Sequence, residues 1–143
     1  MSPELIALIA CGAMLAVSVL FFIYRKIPKR LKSDNFAKQW KDLQTLCKDR
    51  KTWPEALTKA DNLLDKALKK RKFKGKTMGE RMVSAQKVFT DNDGIWFAHN
   101  LYKKIASEEL SRLKEIDVKE ALIAYRQALR DVGALKSEQT KNK

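Results

Sequence analysis

Two apolar patterns divide the chain. From Leu5 to Tyr24, LIALIACGAMLAVSVLFFIY, twenty consecutive residues carry no charge. As a helix rising 1.5 Å per residue they span about 30 Å, the hydrocarbon thickness of a bilayer. After them the apolar residues recur three and four apart, and no segment alternates like a strand. Phe36, Trp40, Leu43 and Cys47 mark a first amphipathic helix after Ser33 and Asp34, with Leu46 alongside. TWPE at 52–55 reads as a capping box, with Thr52 as N-cap, Pro54 in the first turn and Glu55 reaching back. It opens a helix to about Lys72 with Leu57, Ala60, Leu64, Ala67 and Leu68 on one side.

TMGE at 77–80 repeats the device for a shorter helix carrying Met82, Ala85, Val88 and Phe89. TDNDG at 90–94 reads as a loop ending in Asp93 as N-cap, followed by a helix from about Ile95 to Glu109. DVKE at 117–120 is a third capping arrangement, opening a last helix with Leu122, Tyr125, Ala128, Leu129 and Val132 inward and Gly133 as its stop. The expected fold is all-α: one N-terminal transmembrane helix, then a compact antiparallel bundle of about five helices with short connections. Trp40, Trp53, Trp96, Phe89 and Tyr125 are the expected core aromatics, with Cys47 as a small core residue. The expected organisation is an extracytoplasmic tip over 1–4, the span over 5–24, a basic juxtamembrane segment over 25–32, the helical domain over 33–135 and a polar tail over 136–143.

Charge settles the expected orientation. The formal net charge is +13, from 30 Lys and Arg against 17 Asp and Glu, and no Lys or Arg precedes the span. Directly after it, RKIPKRLK places Arg25, Lys26, Lys29, Arg30 and Lys32 in eight residues. Basic flanks stay in the cytoplasm, so the N-terminus is expected outside the cell membrane and the helical domain inside, with this segment on anionic headgroups. A cleaved secretory signal would carry its basic residues before the apolar run rather than after it. LIAC at 8–11 has the look of a lipoprotein processing box, but the apolar run continues for thirteen residues past Cys11. Ala10, Gly12, Ala13, Ala16 and Ser18 would permit close helix approach in a homodimer, although no Gly-x-x-x-Gly occurs.

A second basic cluster, KALKKRKFKGK at 66–76, holds Lys66, Lys69, Lys70, Arg71, Lys72, Lys74 and Lys76 and no acid. It reads as a surface for a polyanion, and charge density alone does not separate RNA from lipid headgroups. Phe73 within it could stack on a base or dip into a membrane interface. A solvated, lysine-rich helix end is the plainer alternative.

Candidate chemistry is sparse. The one histidine, His99, excludes multi-histidine metal sites, and Cys11 and Cys47 offer neither a disulfide framework nor metal-ligand spacing. Gly75-Lys76-Thr77 lacks the upstream glycine and preceding strand of a phosphate loop, so no cofactor is expected.

WPEALTKADNLLDKAL, GKTMGERMVSAQKVF, IWFAHNLYKKIASEE and EALIAYRQALRDVGAL together resemble small bacterial helical proteins of the HEPN superfamily (higher eukaryote and prokaryote nucleotide-binding domains). The resemblance covers the chain from about Trp53 to Leu135. Members often carry a tryptophan followed by Ala-His, an Arg-Asn pair and a closing Ile-Ala-His-Glu. In many of them the arginine and the later histidine form a metal-independent ribonuclease site, usually across a dimer. Here Tyr102 stands at the arginine position, Lys103 at its asparagine partner and Ser107 at the closing histidine, while His99 matches the earlier Ala-His. A serine does not replace an imidazole as a base near neutral pH, so the resemblance implies a site that has lost its chemistry. Alternatively, Trp96, His99, Tyr102 and Ile105 are simply a core stripe. The expected function is a non-enzymatic, membrane-tethered interaction or scaffold domain, with a membrane-tethered RNA-binding domain as the second reading.

Overall fold

The computed structural model describes residues 2–26, 34–109 and 112–136, with side chains placed for 2–22, 35–109 and 112–136. Among these, the chain forms six α-helices and no strand: α1 Pro3–Lys26, α2 Asp34–Thr45, α3 Trp53–Lys70, α4 Met78–Ser84, α5 Asn92–Ala106 and α6 Glu115–Asp131. Two 3-10 turns, Leu46–Lys48 and Arg50–Thr52, join α2 to α3. Lys29, Arg30, Lys32 and nearly all of the polar tail lie outside the described residues, as do the side chains of Arg25 and Lys26 in the last turn of α1.

α1 begins with proline at its first position and Glu4 in its first turn, both suited to a helix N-terminus. Its segment Pro3–Phe22 has a mean hydropathy of 2.7 and none of it is buried. That makes it long and apolar enough to cross a membrane, and it packs on no other described element.

The remaining helices share one core, and α3 is its spine, packing on α2, α4, α5 and α6. Its inward side holds Leu57, Ala60, Leu64, Ala67 and Leu68 as the period requires, together with Asp61. Against it pack Phe36, Trp40 and Leu43 from α2, Met82 from α4, Ile95, Ala98 and Leu101 from α5, and Val118, Ala121, Tyr125 and Leu129 from α6. Trp53 and Phe89 are buried as expected. Trp96 is only half-buried at the rim of the core, because α5 turns Ile95 and Ala98 inward instead. Cys47 is half-buried in the first 3-10 turn, where its thiol donates to Leu43 O at 3.5 Å and burial pushes its pKa up.

Helix ends account for the other departures. Thr77 is a true N-cap, its Oγ1 accepting from Glu80 N at 3.2 Å, while the Glu80 carboxylate accepts from Lys76 N. Thr52 does not cap: its hydroxyl donates to Leu46 O and Asp49 O, and Glu55 pairs with Lys59 instead. The preceding 3-10 turns compete for the threonine, so the expected box does not form. α5 starts earlier than expected because Asp91, not Asp93, accepts from Gly94 N. α6 starts at Glu115, which leaves Asp117 inside its first turn, favourable to the helix dipole but not a cap.

Three helices end in the same hydrogen-bonded turn. The amides of Lys72, Glu108 and Gly133 bond the carbonyls of Lys69, Ile105 and Arg130. The next amides, of Phe73, Glu109 and Ala134, reach back to Leu68, Lys104 and Leu129. Lys72, Glu108 and Gly133 therefore take positive φ, at 60°, 59° and 79°. Gly133 suits this conformation; Lys72 and Glu108 adopt it at a cost, and they end α3 and α5 earlier than the apolar pattern suggests. Phe73 follows in this turn, half-buried and packed against the core.

Candidate functional site

α3 carries two acids one turn apart, and each organises a different polar cluster. Asp61 falls on the apolar stripe between Leu57 and Leu64 and is 3% exposed. His99 Nδ1 from α5 and Tyr125 Oη from α6 both lie 2.8 Å from its Oδ1. A carboxylate only accepts, so the His99 tautomer with a proton on Nδ1 donates here, and the tyrosine hydroxyl donates beside it. Burial first, and then the Asp61 charge and hydrogen bond, push the Tyr125 hydroxyl far above its ordinary pKa, so it remains a donor. His99 is 7% exposed, with Trp96 edge-on at 6.1 Å and Tyr102 tilted at 6.1 Å. The one histidine is thus enclosed between an acid and two aromatic rings.

Asp65 lies at the rim. Arg81, 7% exposed despite its charge, donates from Nε to Asp65 Oδ1 at 2.6 Å and from a terminal nitrogen to Gly75 O at 2.8 Å. Lys69 Nζ reaches Asp65 Oδ2 at 3.0 Å. Burial pushes the Asp65 carboxyl up, but the hydrogen bonds and charges of Arg81 and Lys69 outweigh it and hold the carboxyl below its usual value. The loop 71–77 is drawn tight onto α4. A Cβ at Gly75 would lie 2.6 Å from Arg81 N and 2.8 Å from Glu80 Cβ, so only glycine fits.

The candidate polyanion residues are brought together by this loop. Lys66, Lys69 and Lys70 share one side of the last turns of α3, and Arg71, Lys72, Lys74 and Lys76 continue from them through the turn. All but the half-buried Arg71 are exposed. Lys70 Nζ lies over the Phe36 ring at 5.2 Å, so the last turn of α3 sits beside the first turn of α2. Lys66 lines a cleft of about 340 Å³ between the two helices with Gln39, Asp42, Leu43, Lys59, Asn62 and Leu63.

Tyr102, Lys103 and Ser107 do not converge. Tyr102 is half-buried and tilts toward His99, whereas Lys103 and Ser107 are exposed. Ser107 is the C-cap of α5, its amide on Lys103 O and its hydroxyl donating to Lys104 O at 3.3 Å. Among the described residues no group of three His, Cys, Asp or Glu side chains could hold a metal ion.

Periodicity alone marks Tyr125 as a core aromatic and does not single out Asp61 or Arg81. Both charged residues had a signal: Asp61 continues the stripe 57–61–64–68, and Arg81 continues 78–81–82–85. A charge on the inward side of a helix needs a partner, and each has found one. No family model, curated protein or solved structure matches the chain.

Proposed function

We propose that the chain is a single-pass membrane protein whose helical domain is a non-enzymatic interaction module presenting a basic surface. α1 spans the cell membrane with its N-terminus outside, and the antiparallel bundle of α2–α6 lies in the cytoplasm. The basic residues after Tyr24 and their absence before Leu5 support that orientation. The observation that carries the non-enzymatic reading is the enclosure of His99: its Nδ1 is committed to Asp61, and the imidazole packs as part of the interior. Descent from a HEPN-type ribonuclease that lost its cleavage chemistry accounts for Tyr102, Lys103 and Ser107 where the superfamily carries its site.

The test is incubation of the full chain, reconstituted in lipid nanodiscs, with end-labelled single-stranded RNA, followed by gel analysis. Intact RNA is expected at all times and salt concentrations. Cleavage that disappears in His99→Gln would overturn the reading.

A further inference from the structure

We infer that the basic corner formed by the end of α3 and the α3–α4 loop docks on the anionic headgroups of the same membrane that holds α1. The inference rests on the membrane-spanning reading of α1 and goes beyond it by fixing which end of the domain meets the bilayer. It starts from the Lys70–Phe36 contact, which puts the corner beside the start of α2. α2 is where the chain arrives from α1, and only residues 27–33 lie between the two helices. Seven residues reach at most about 25 Å. The corner is therefore held by this leash within about 25 Å of the end of α1, whereas the start of α3 can lie about twice as far from it.

The opposite end of the α2–α3 pair supplies the contrast. Lys48, Arg50 and Lys51 are also basic, but the 18 residues of α3 separate them from the corner by about 25 Å. The potential of an anionic leaflet fades over a Debye length of about 8 Å at physiological salt. With the start of α2 toward the membrane, the field acts on the corner and not on the far end.

The acids nearest the corner are outnumbered by its seven basic residues. Asp65 is paired with Arg81 and Lys69, which leaves Glu80, whose carboxylate accepts from the Lys76 amide, and Asp42, across the cleft from Lys66, as the opposing charges. Lys66, Lys72, Lys74 and Lys76 make no ion pair among the described residues. Each lysine close to an anionic leaflet adds about 1 kcal/mol of attraction. Lipid is favoured over RNA because the leash supplies the leaflet at a high local concentration, whereas nothing in the fold delivers a nucleic acid to this corner.

The test uses the full chain in vesicles of phosphatidylcholine alone or mixed with phosphatidylglycerol. With Cys11 and Cys47 replaced by alanine, an environment-sensitive fluorophore is placed at Lys74→Cys or, as the distal control, at Lys51→Cys, and quenched by headgroup spin-labelled lipid. Strong quenching at position 74 in the anionic vesicles, weak quenching there in the neutral ones and little at position 51 in either are expected. Lys66→Gln, Lys72→Gln and Lys76→Gln together should lower the docked-to-undocked ratio on the order of a hundredfold, with the helical circular dichroism unchanged. Should that triple variant misfold, raising the salt on the unsubstituted surface must release position 74 in the same way.

Equal quenching at positions 74 and 51, or no dependence on phosphatidylglycerol, overturns the inference. So does salt-sensitive RNA binding at position 74 in vesicles where lipid quenching there is absent, an outcome that would give the corner to nucleic acid. Extraction of the chain from the vesicles by alkaline carbonate separates the two levels. A chain that washes off overturns the spanning reading and the docking with it, while an inserted chain without quenching overturns the docking alone.

Discussion

Asp61 and Asp65 sit one turn apart on the same helix, the first bonded to two ring-borne donors deep between α3, α5 and α6, the second to two cations at the rim. Both acids follow an apolar residue by the same helical logic, and both receive two donors. The difference lies in what the partners are attached to. His99 and Tyr125 are fixed in the middle of long helices, so Asp61 ties three helices together and leaves the histidine no freedom. Arg81 also holds the Gly75 carbonyl, so Asp65 shapes a loop rather than the core, and that loop displays the lysines. One acid makes the domain; the other makes its surface.

The largest expected effect comes from deleting the inner acid. Asp61→Ala strands a buried imidazole N–H and a buried hydroxyl, and should cost about 3–5 kcal/mol of unfolding free energy. Urea unfolding of the reconstituted chain, followed by tryptophan emission, measures it, and a loss below about 1 kcal/mol would break the contrast. Arg81→Ala should cost about 2 kcal/mol, because Asp65 at the rim regains water while the Gly75 carbonyl loses its donor. Its sharper signature is faster proteolysis within 71–77 with the core intact.

Tyr125→Phe removes one of two donors from Asp61 and keeps the ring, so about 1 kcal/mol is expected. The smallest effect has the opposite sign. Lys72→Gly relieves the left-handed backbone at the end of α3 and should stabilise by up to about 1 kcal/mol. Acid separates the clusters as well. The folded-state pKa of Asp65 lies below its unfolded value, so its contribution is complete above the unfolded value, near pH 4, and fades as pH falls through the folded one. In Arg81→Ala that part of the acid sensitivity should shrink.

The helical period made most of the core legible. Phe36, Trp40 and Leu43, the α3 stripe, and Tyr125 with Leu129 were all readable from spacing, as was the apolar helix before them. Helix starts were less so, because Thr52, Asp91 and Asp93 are equally good capping residues in isolation. The 3-10 turns before α3 and the Gly94 amide decide among them, and both depend on how the neighbouring chain arrives. The clusters were half legible. Asp61 and Arg81 stand out as charges on inward faces, but spacing does not reveal that His99 and Tyr125 converge on one oxygen 38 and 64 residues away. The basic corner was visible as composition; its place beside the start of α2 needed the Lys70–Phe36 contact.

The most direct test of the central claim, that His99 is a structural partner of Asp61, is a double-mutant cycle. Asp61→Asn, His99→Gln and the pair are unfolded in urea with the full chain in nanodiscs, read through Trp96, whose ring lies edge-on to His99 at 6.1 Å. A coupling of about 1–3 kcal/mol is predicted. Additive losses, within about 0.5 kcal/mol, would contradict it and return His99 to the list of residues available for chemistry.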